Sequence, residues 1–200
     1  MLIKDLKMKL WLAGKFKDEI LPLTVSAGRK TIEFDQDEHP RFGITIEDFS
    51  TKKPAFVEGG TVTPANSSGI NDGAAAVVVM TAEKAEELGC TAYLRIVSQA
   101  VVGNHPDYMG FAPAPATRKA VEKAGLTLDD INLFEINEAF ASQAVAVIRD
   151  LGIDEDKVNV NGGAIALGHP VGASGTILTV RLMYEMLRRN VRYGVVTLCI

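Results

Sequence analysis

The sequence predicts an α/β protein in which strands and helices alternate along the chain and pack in layers. Apolar runs of strand length recur, amphipathic segments of helical length follow them, and glycines stand where those helices should end. Hydrophobic residues make up 47% and charged residues 23% of the 200 residues, which is typical of a globular protein. This composition excludes a disordered chain, a collagen-like repeat and a disulfide-stapled miniprotein.

Charge and cysteine content limit which partners and which cellular compartment are expected. The net charge of −4 leaves no basic excess to neutralise a phosphate backbone, so nucleic-acid binding is not expected. Two cysteines favour a reducing compartment. No window approaches ~20 uncharged apolar residues, and the first residues alternate charge too finely for a signal peptide. We therefore expect a cytoplasmic protein without a membrane span, with a mitochondrial or peroxisomal origin as the alternative.

Residues 1–70 are rich in turn signals and carry few regular elements. A short helix is expected to end at Gly14, because glycine commonly follows a helix. Residues 20–25 predict an edge strand, since Pro22 cannot donate to a central ladder. Residues 35–41 predict a polar surface turn.

Residues 71–91 change character. Residues 74–80 form a continuous apolar run, which predicts a strand buried on both faces. Thr81 then predicts the N-cap of a helix over residues 82–88, with Gly89 after its end.

Residues 92–200 alternate regularly between strand and helix patterns. Pro115 in the first turn of one helix, and Gly125 and Gly152 after two of them, mark the predicted boundaries. Such alternation predicts right-handed crossovers. The strands are expected at 93–99, 131–136, 158–160 and 191–200, and the helices at 114–124, 138–151 and 173–189.

Asn137 is the first candidate site residue, directly after a predicted strand, where α/β folds place their sites. Its amide could hold a water or a substrate oxygen. The alternative is that Asn137 is only the N-cap of the next helix.

His169 is the second candidate, within a glycine-rich stretch over residues 161–175. Glycines allow close backbone approach to a ligand, Pro170 stiffens the chain, and histidine is a base near neutral pH. The alternative is a phosphate-binding loop. The spacing fits neither the P-loop nor the dinucleotide fingerprint, and no lysine follows, so catalysis is favoured.

Cys199 is the third candidate, at the carboxyl end of the last predicted strand. A free cysteine is usually an inert packing residue. Here Asn137 and His169 also follow predicted strands of one sheet, and a thiol near an imidazole can act as nucleophile, acid or base. Cys90, after a helix end, is interpreted as a packing residue.

These segments together resemble the thiolase family over residues 14–200. Asn137-Glu138-Ala139-Phe140 resembles its Asn-Glu-Ala-Phe motif, and residues 161–175 resemble its long Gly-His-Pro motif. Cys199 matches the family's cysteine near the C-terminus. Residues 14–20, Arg41 and residues 66–74 also follow the family order.

The resemblance implies a layered fold of two similar halves, each with a mixed sheet between helices, and a loop domain inserted in the first half. Residues 1–70 would be the remainder of the loop domain. Residues 71–91 would be the last strand and helix of the N-terminal half. Residues 92–200 would be the C-terminal half without its final strand, so the fold would be incomplete.

The resemblance also implies roles for individual residues. His169 would activate a nucleophilic thiol and help to hold a thioester oxygen, Asn137 would fix a water in that oxyanion hole, and Cys199 would shuttle the α-carbon proton. Coenzyme A and acyl-CoA would be substrates, and no metal or covalently bound cofactor is expected. The substrate contacts would be Ser68, Ala65 and Ala139 on the pantetheine arm, Arg41 near the adenine nucleotide, and Met109 and Phe140 in the acyl pocket.

The sequence departs from the family in ways that set the functional expectation. The acyl-carrying cysteine of the family lies in an N-terminal half that these residues do not include, and residues 1–13 do not match the family's helix. The glycines that follow the family's counterpart of Cys199 are also not among these residues. We therefore expect the C-terminal part of an acyltransferase that cleaves or condenses 3-ketoacyl-CoA. It would be inactive alone and completed by an N-terminal half or a homo-oligomer.

Two other functions remain open. One is a non-catalytic subunit that binds coenzyme A or scaffolds a complex. The other is a related decarboxylating or condensing synthase, which is disfavoured because such relatives usually carry a histidine where Cys199 stands.

Overall fold

The computed structural model describes residues 14–41 and 44–200. Its first element is an antiparallel hairpin of β1 (Leu23–Ala27) and β2 (Lys30–Phe34), in which Leu23 pairs with Phe34. The predicted edge strand therefore begins only after Pro22. The turn uses Gly28 at a φ of +65°, which favours glycine. The helix expected before Gly14 lies outside the described residues.

Two short helices follow. Helix α1 covers Ile46–Ser50, and α2 covers Ala82–Glu87. Thr81 caps α2 as predicted, because its side chain accepts a hydrogen bond from the Lys84 backbone N–H. Gly89 follows the helix end with a φ of +65°.

The strands predicted at 74–80 and 93–99 are not formed, which corrects two expectations. Both segments lack ladder pairing, and their apolar side chains are exposed: Val78 is 85% and Ile96 71% accessible. A strand needs a neighbouring backbone for its hydrogen bonds and an apolar layer over its side chains. The described residues supply neither at these two segments.

The central sheet is built from β3 (Leu133–Ile136) and β4 (Gly194–Thr197), which run parallel with Leu133 opposite Gly194. All four residues of β3 are buried. The segment predicted as a strand at 158–160 contributes only a parallel bridge between Val158 and Phe134. The last predicted strand, 191–200, is shorter than expected, because only its middle pairs.

Helices cover both faces of β3. Alternate side chains of a strand point to opposite faces. Accordingly, Phe134 and Ile136 join a core with α3 (Pro113–Lys123) and α4 (Ala141–Leu151), whereas Leu133 packs with Leu182 and Met186 of α6 (Ser174–Arg189). The layered α/β fold is thus confirmed.

Helix α4 begins three residues later than predicted. Phe140 is its N-cap residue, so Asn137 does not cap it and that alternative is wrong. A further short helix, α5 (Ala164–Leu167), lies inside the glycine-rich stretch. Three 3₁₀ turns complete the described elements, at Pro106–Phe111, Leu128–Asp130 and Glu155–Lys157. Across 14–41 and 44–200, no helix has the length and apolar character needed to cross a bilayer.

Candidate active site

The carboxyl ends of β3 and β4 bring Asn137 beside the segment that carries Cys199. Asn137 directly follows β3, is 1% exposed, and donates its backbone N–H to the Thr197 carbonyl at 3.0 Å. Thr197 is the last residue of β4, and Cys199 follows two residues later. Parallel pairing therefore continues one step past the strands and joins the two predicted site segments.

His169 is held in one tautomer by its neighbours. Its Nδ1 lies 2.6 Å from Ser174 Oγ, and that hydroxyl donates to the Pro170 carbonyl at 2.9 Å. Because the serine proton is used there, Nδ1–H of His169 must donate to Ser174. The opposite nitrogen, Nε2, then accepts a hydrogen bond from Asn137 Nδ2 at 3.3 Å. The basic nitrogen of His169 therefore faces Asn137.

Burial acts in opposite directions on the two titratable candidates. It lowers the pKa of His169, so the imidazole is a neutral base near pH 7. Burial raises the pKa of the Cys199 thiol, and a hydrogen bond at its own backbone opposes this only in part, so the sulfur is protonated near pH 7. Among the described residues, no hydrogen bond links Cys199 to His169. The candidate site therefore holds an imidazole that favours its neutral form and, on the segment after β4, a thiol that favours its protonated form.

Glu138 fixes the glycine-rich segment, which we call the histidine loop (residues 161–173). Its Oε2 accepts from the Ile165 backbone N–H at 3.4 Å, and its Oε1 accepts from Asn159 Nδ2 at 3.2 Å. A Cβ on Gly163 would overlap this carboxyl group. No role for Glu138 was predicted from the sequence, although its position next to Asn137 was a signal.

Four of the predicted coenzyme A contacts lie close together. The Ser68 N–H donates to the Ala139 carbonyl at 2.9 Å, and Ser67 forms an antiparallel bridge with Phe140. Ala65 lies in the turn just before this bridge, where its N–H donates to Thr63 Oγ1 at 3.2 Å. The structure thus packs residues 65–68 against residues 139–141, immediately after Asn137.

The other two predicted contacts are not joined to this cluster. Arg41 is exposed, and Met109, in the 3₁₀ turn Pro106–Phe111, is 46% exposed. In the described part of the chain, no hydrogen bond or ion pair links either side chain to Asn137 or His169. No group of three or more His, Cys, Asp or Glu side chains there could hold a metal ion.

Comparison with known families and proteins identifies the relatives of this chain. The family model described as "Thiolase, C-terminal domain" matches residues 90–200, and "Thiolase, N-terminal domain" matches residues 6–83. An acetyl-CoA acetyltransferase of Syntrophomonas wolfei is 55% identical over 94% of this chain and 48% of its own length. A 3-ketoacyl-CoA thiolase of Bacillus subtilis is 54% identical over 94% of this chain and 50% of its own.

Solved structures give the same result. The crystal structure of the Bacillus anthracis acetyl-CoA acetyltransferase superposes with a TM-score of 0.95 at 47% identity, over 98% of this chain and 50% of that one. The crystal structure of human mitochondrial 3-ketoacyl-CoA thiolase in complex with CoA superposes with a TM-score of 0.91 at 44% identity, over 96% of this chain and 48% of that one. The chain spans about half the length of the relatives it matches.

Proposed function

Because the chain belongs to the thiolase family, we propose that it supplies the acid–base part of an acyltransferase site that cleaves or condenses 3-ketoacyl-CoA. The observation that carries this proposal is the hydrogen bond from Asn137 Nδ2 to His169 Nε2, in a tautomer imposed by Ser174. A base in one orientation beside an amide donor suits proton transfer next to a thioester oxygen.

His169 acts first in the cleavage direction. Its neutral Nε2 accepts the proton of the acyl-carrying cysteine thiol, and that sulfur attacks the C3 carbonyl carbon of the 3-ketoacyl-CoA. Lowering of the His169 pKa by burial favours the unprotonated form that this step needs. Asn137 orients a water toward the thioester oxygen, where charge develops when the C2–C3 bond breaks.

Cys199 completes the cleavage step. The electron pair of the broken C2–C3 bond passes to the acetyl-CoA enolate, whose carbon takes the Cys199 proton. The raised pKa of the thiol keeps this proton in place before the step. In the condensation direction the thiolate of Cys199 removes the same proton from acetyl-CoA, so one residue serves both directions.

We further propose that coenzyme A thioesters bind along residues 65–68 and 139–141, with Arg41 and Met109 at the two ends of the substrate. The Ser68–Ala139 hydrogen bond supports the central part of this assignment. A solved relative, the human mitochondrial 3-ketoacyl-CoA thiolase, is a complex with CoA.

The acyl-carrying cysteine comes from polypeptide outside these 200 residues. Cys90 is exposed beyond the end of α2, not packed as the sequence predicted, and it does not lie in the motif of the family's acyl-carrying cysteine. Cys199 serves as the acid, so neither residue supplies it. The exposed apolar segments 74–80 and 92–101 offer a surface on which further polypeptide packs. The chain covers about half the length of its relatives, which also supports a contribution from further polypeptide.

Thiolysis of acetoacetyl-CoA tests the proposal. The purified 200-residue chain is assayed alone, and then with a polypeptide corresponding to the N-terminal half of the Syntrophomonas wolfei relative. We expect no turnover alone and turnover on mixing that is lost in His169→Ala. Turnover by the chain alone would overturn the need for a second half. Binding of that half and of coenzyme A without turnover would instead favour the non-catalytic scaffold.

A further inference from the structure

Two side chains from the loop region before α2 form hydrogen bonds with the backbone of the histidine loop. Asn71 Oδ1 accepts a hydrogen bond from the His169 backbone N–H at 3.1 Å. His39 Nε2 lies 3.3 Å from the Ile165 carbonyl oxygen. Asn71 Nδ2 and His39 Nδ1 lie 3.3 Å from each other. The result is a continuous bridge, side chain to side chain, across both ends of α5.

The polarity of the bridge follows from its fixed end. The backbone N–H of His169 can only donate. Asn71 must therefore face it with its side-chain oxygen and turn its NH₂ group to His39. His39 Nδ1 is therefore an acceptor, and the proton of the neutral ring is on Nε2, where it donates to the Ile165 carbonyl. One tautomer of one residue satisfies both contacts.

Two glycines allow the bridge to close. A Cβ on Gly69 would lie 2.5 Å from Cε1 of His39. A Cβ on Gly168 would lie 2.7 Å from Oδ1 of Asn71, and Gly168 also has a φ of +96°. A side chain at either position would displace the bridging groups, so the bridge requires glycine at both positions.

We propose that His39 and Asn71 are positioning residues for His169. They hold the Ile165 carbonyl and the His169 N–H, which are four residues apart, and thereby set the point from which the His169 ring reaches Asn137 and Ser174. Their described hydrogen bonds reach backbone groups and each other, whereas Nε2 of His169 accepts from Asn137. Their catalytic consequence rests on the proposed function, whereas their effect on the His169 tautomer does not.

Nitrogen NMR of the complete chain labelled in histidine tests the proposal without turnover. The sequence has three histidines, so His39, His105 and His169 can each be assigned by substitution. In the unaltered chain we expect His169 to show the Nδ1–H tautomer. In Asn71→Ala its two nitrogen shifts should move toward each other, because a loosened loop weakens the contacts with Ser174 and Asn137. His105→Ala, at an exposed site, is the matched control.

Asn71→Asp separates positioning from mere packing. The carboxylate still accepts from the His169 N–H, because one of its oxygens takes the place of the Asn71 amide oxygen. We therefore expect the His169 tautomer to be rescued. His39→Ala is the second variant if Asn71→Ala fails to fold by circular dichroism. An unchanged His169 tautomer in whichever of these alanine variants folds would overturn the proposal.

Turnover after mixing with the N-terminal half provides an additional readout. We expect kcat of Asn71→Ala to fall by about 10- to 100-fold, since a small misplacement of a catalytic group has effects of this order. KM should stay near its original value, because the bridge touches no substrate. If kcat/KM fell only because KM rose, the positioning role would be contradicted. If the unaltered chain mixed with the N-terminal half showed no turnover, only the proposed function would be contradicted.

Discussion

Asn161 Nδ2 donates a hydrogen bond to Glu185 Oε2 at 2.7 Å, which ties the start of the histidine loop to helix α6. Both residues are 1% exposed. Glu185 also accepts from Arg188 at 2.8 Å and from Arg189 at 2.5 Å. The buried carboxylate thus links the loop that carries His169 to the last turn of the longest helix.

Glu185→Gln should destabilise the chain in a pH-dependent way. Burial alone would raise the pKa of Glu185, but hydrogen bonds from Asn161 and two arginines outweigh it and lower the pKa from 4.5 to about 2. This shift corresponds to about 3 kcal/mol, reduced to about 1–2 kcal/mol by solvent around the part-exposed arginines. A depressed carboxyl pKa contributes stability above pH 4.5 that disappears as the pH falls toward 2.

Urea unfolding at pH 7 and pH 3 measures this effect. The difference in free energy of unfolding between the original chain and Glu185→Gln should be large at pH 7 and smaller at pH 3. Glu87→Gln is the matched control, because Glu87 pairs with Lys84 at 2.7 Å on the exposed surface. Exposed pairs contribute little, so this variant should change stability by less than about 0.5 kcal/mol. Equal losses in the two variants would contradict the prediction.

Gly163→Ala should disrupt the histidine loop, whereas Gly172→Ala should not. A methyl group on Gly163 would overlap the buried carboxyl of Glu138, which must then release the Ile165 N–H. We expect a loss of at least about 2 kcal/mol, in the range of overpacked cores. Gly172 lies in the same loop and has nothing within 4 Å of a built Cβ. Thermal unfolding of both variants measures the effect. Equal unfolding midpoints for Gly163→Ala and Gly172→Ala would contradict the prediction.

Asn137→Asp should raise the pKa of His169. In the original chain burial lowers that pKa below 6.5. A carboxylate placed 3.3 Å from Nε2 would stabilise the protonated ring and move the titration upward. Proton NMR titration of His169 measures the midpoint, with Asn104→Asp on the exposed surface as the control of equal charge. A midpoint unchanged from the original would show that Asn137 does not face Nε2 in solution.

Helix α6 was predicted well from the sequence, whereas β2 and α5 were not predicted although they lie within the described residues. Helix α6 agrees with its predicted bounds within one residue at its start, because its apolar positions Leu178, Leu182 and Met186 are buried, the last two against Leu133 of the sheet. The strand expected at 74–80 failed for the converse reason. Its pattern is that of a buried strand, but burial and pairing are long-range and need backbone that the local sequence does not contain.

The candidate site shows the same division. Asn137, His169 and Cys199 were identified from short motifs at the ends of strands, and the structure brings Asn137 and His169 into contact. No role was predicted for Ser174, Glu138 or Asn71. Asn71 contacts the His169 N–H across 98 residues of sequence, which leaves no periodic or spacing signal. Ser174 and Glu138 lie inside or beside the motifs, but the sequence does not show which groups they contact.

Cys90 should react with iodoacetamide before Cys199 at pH 7.5. Cys90 is exposed, whereas Cys199 is half-buried and burial raises the pKa of its thiol. The thiolate is the reactive form, so a raised pKa slows alkylation. Peptide mass spectrometry over time gives both rates, and the denatured chain is the control in which the two should converge. Faster modification of Cys199 in the folded chain would contradict its proposed role as a protonated acid.

Acidic substitutions on the exposed apolar segments should prevent completion of the site. Val78 and Ile96 are 85% and 71% exposed in the described structure, so Val78→Asp and Ile96→Asp should leave the stability of the chain alone nearly unchanged. Burying either carboxylate against an added N-terminal half would cost several kcal/mol, so association and turnover should both fall by at least about 100-fold. Leu21→Asp, 80% exposed on the segment before β1, is the control that should associate normally. Isothermal titration with the N-terminal half measures all three affinities, and unaltered binding of both segment variants would show that added polypeptide packs elsewhere.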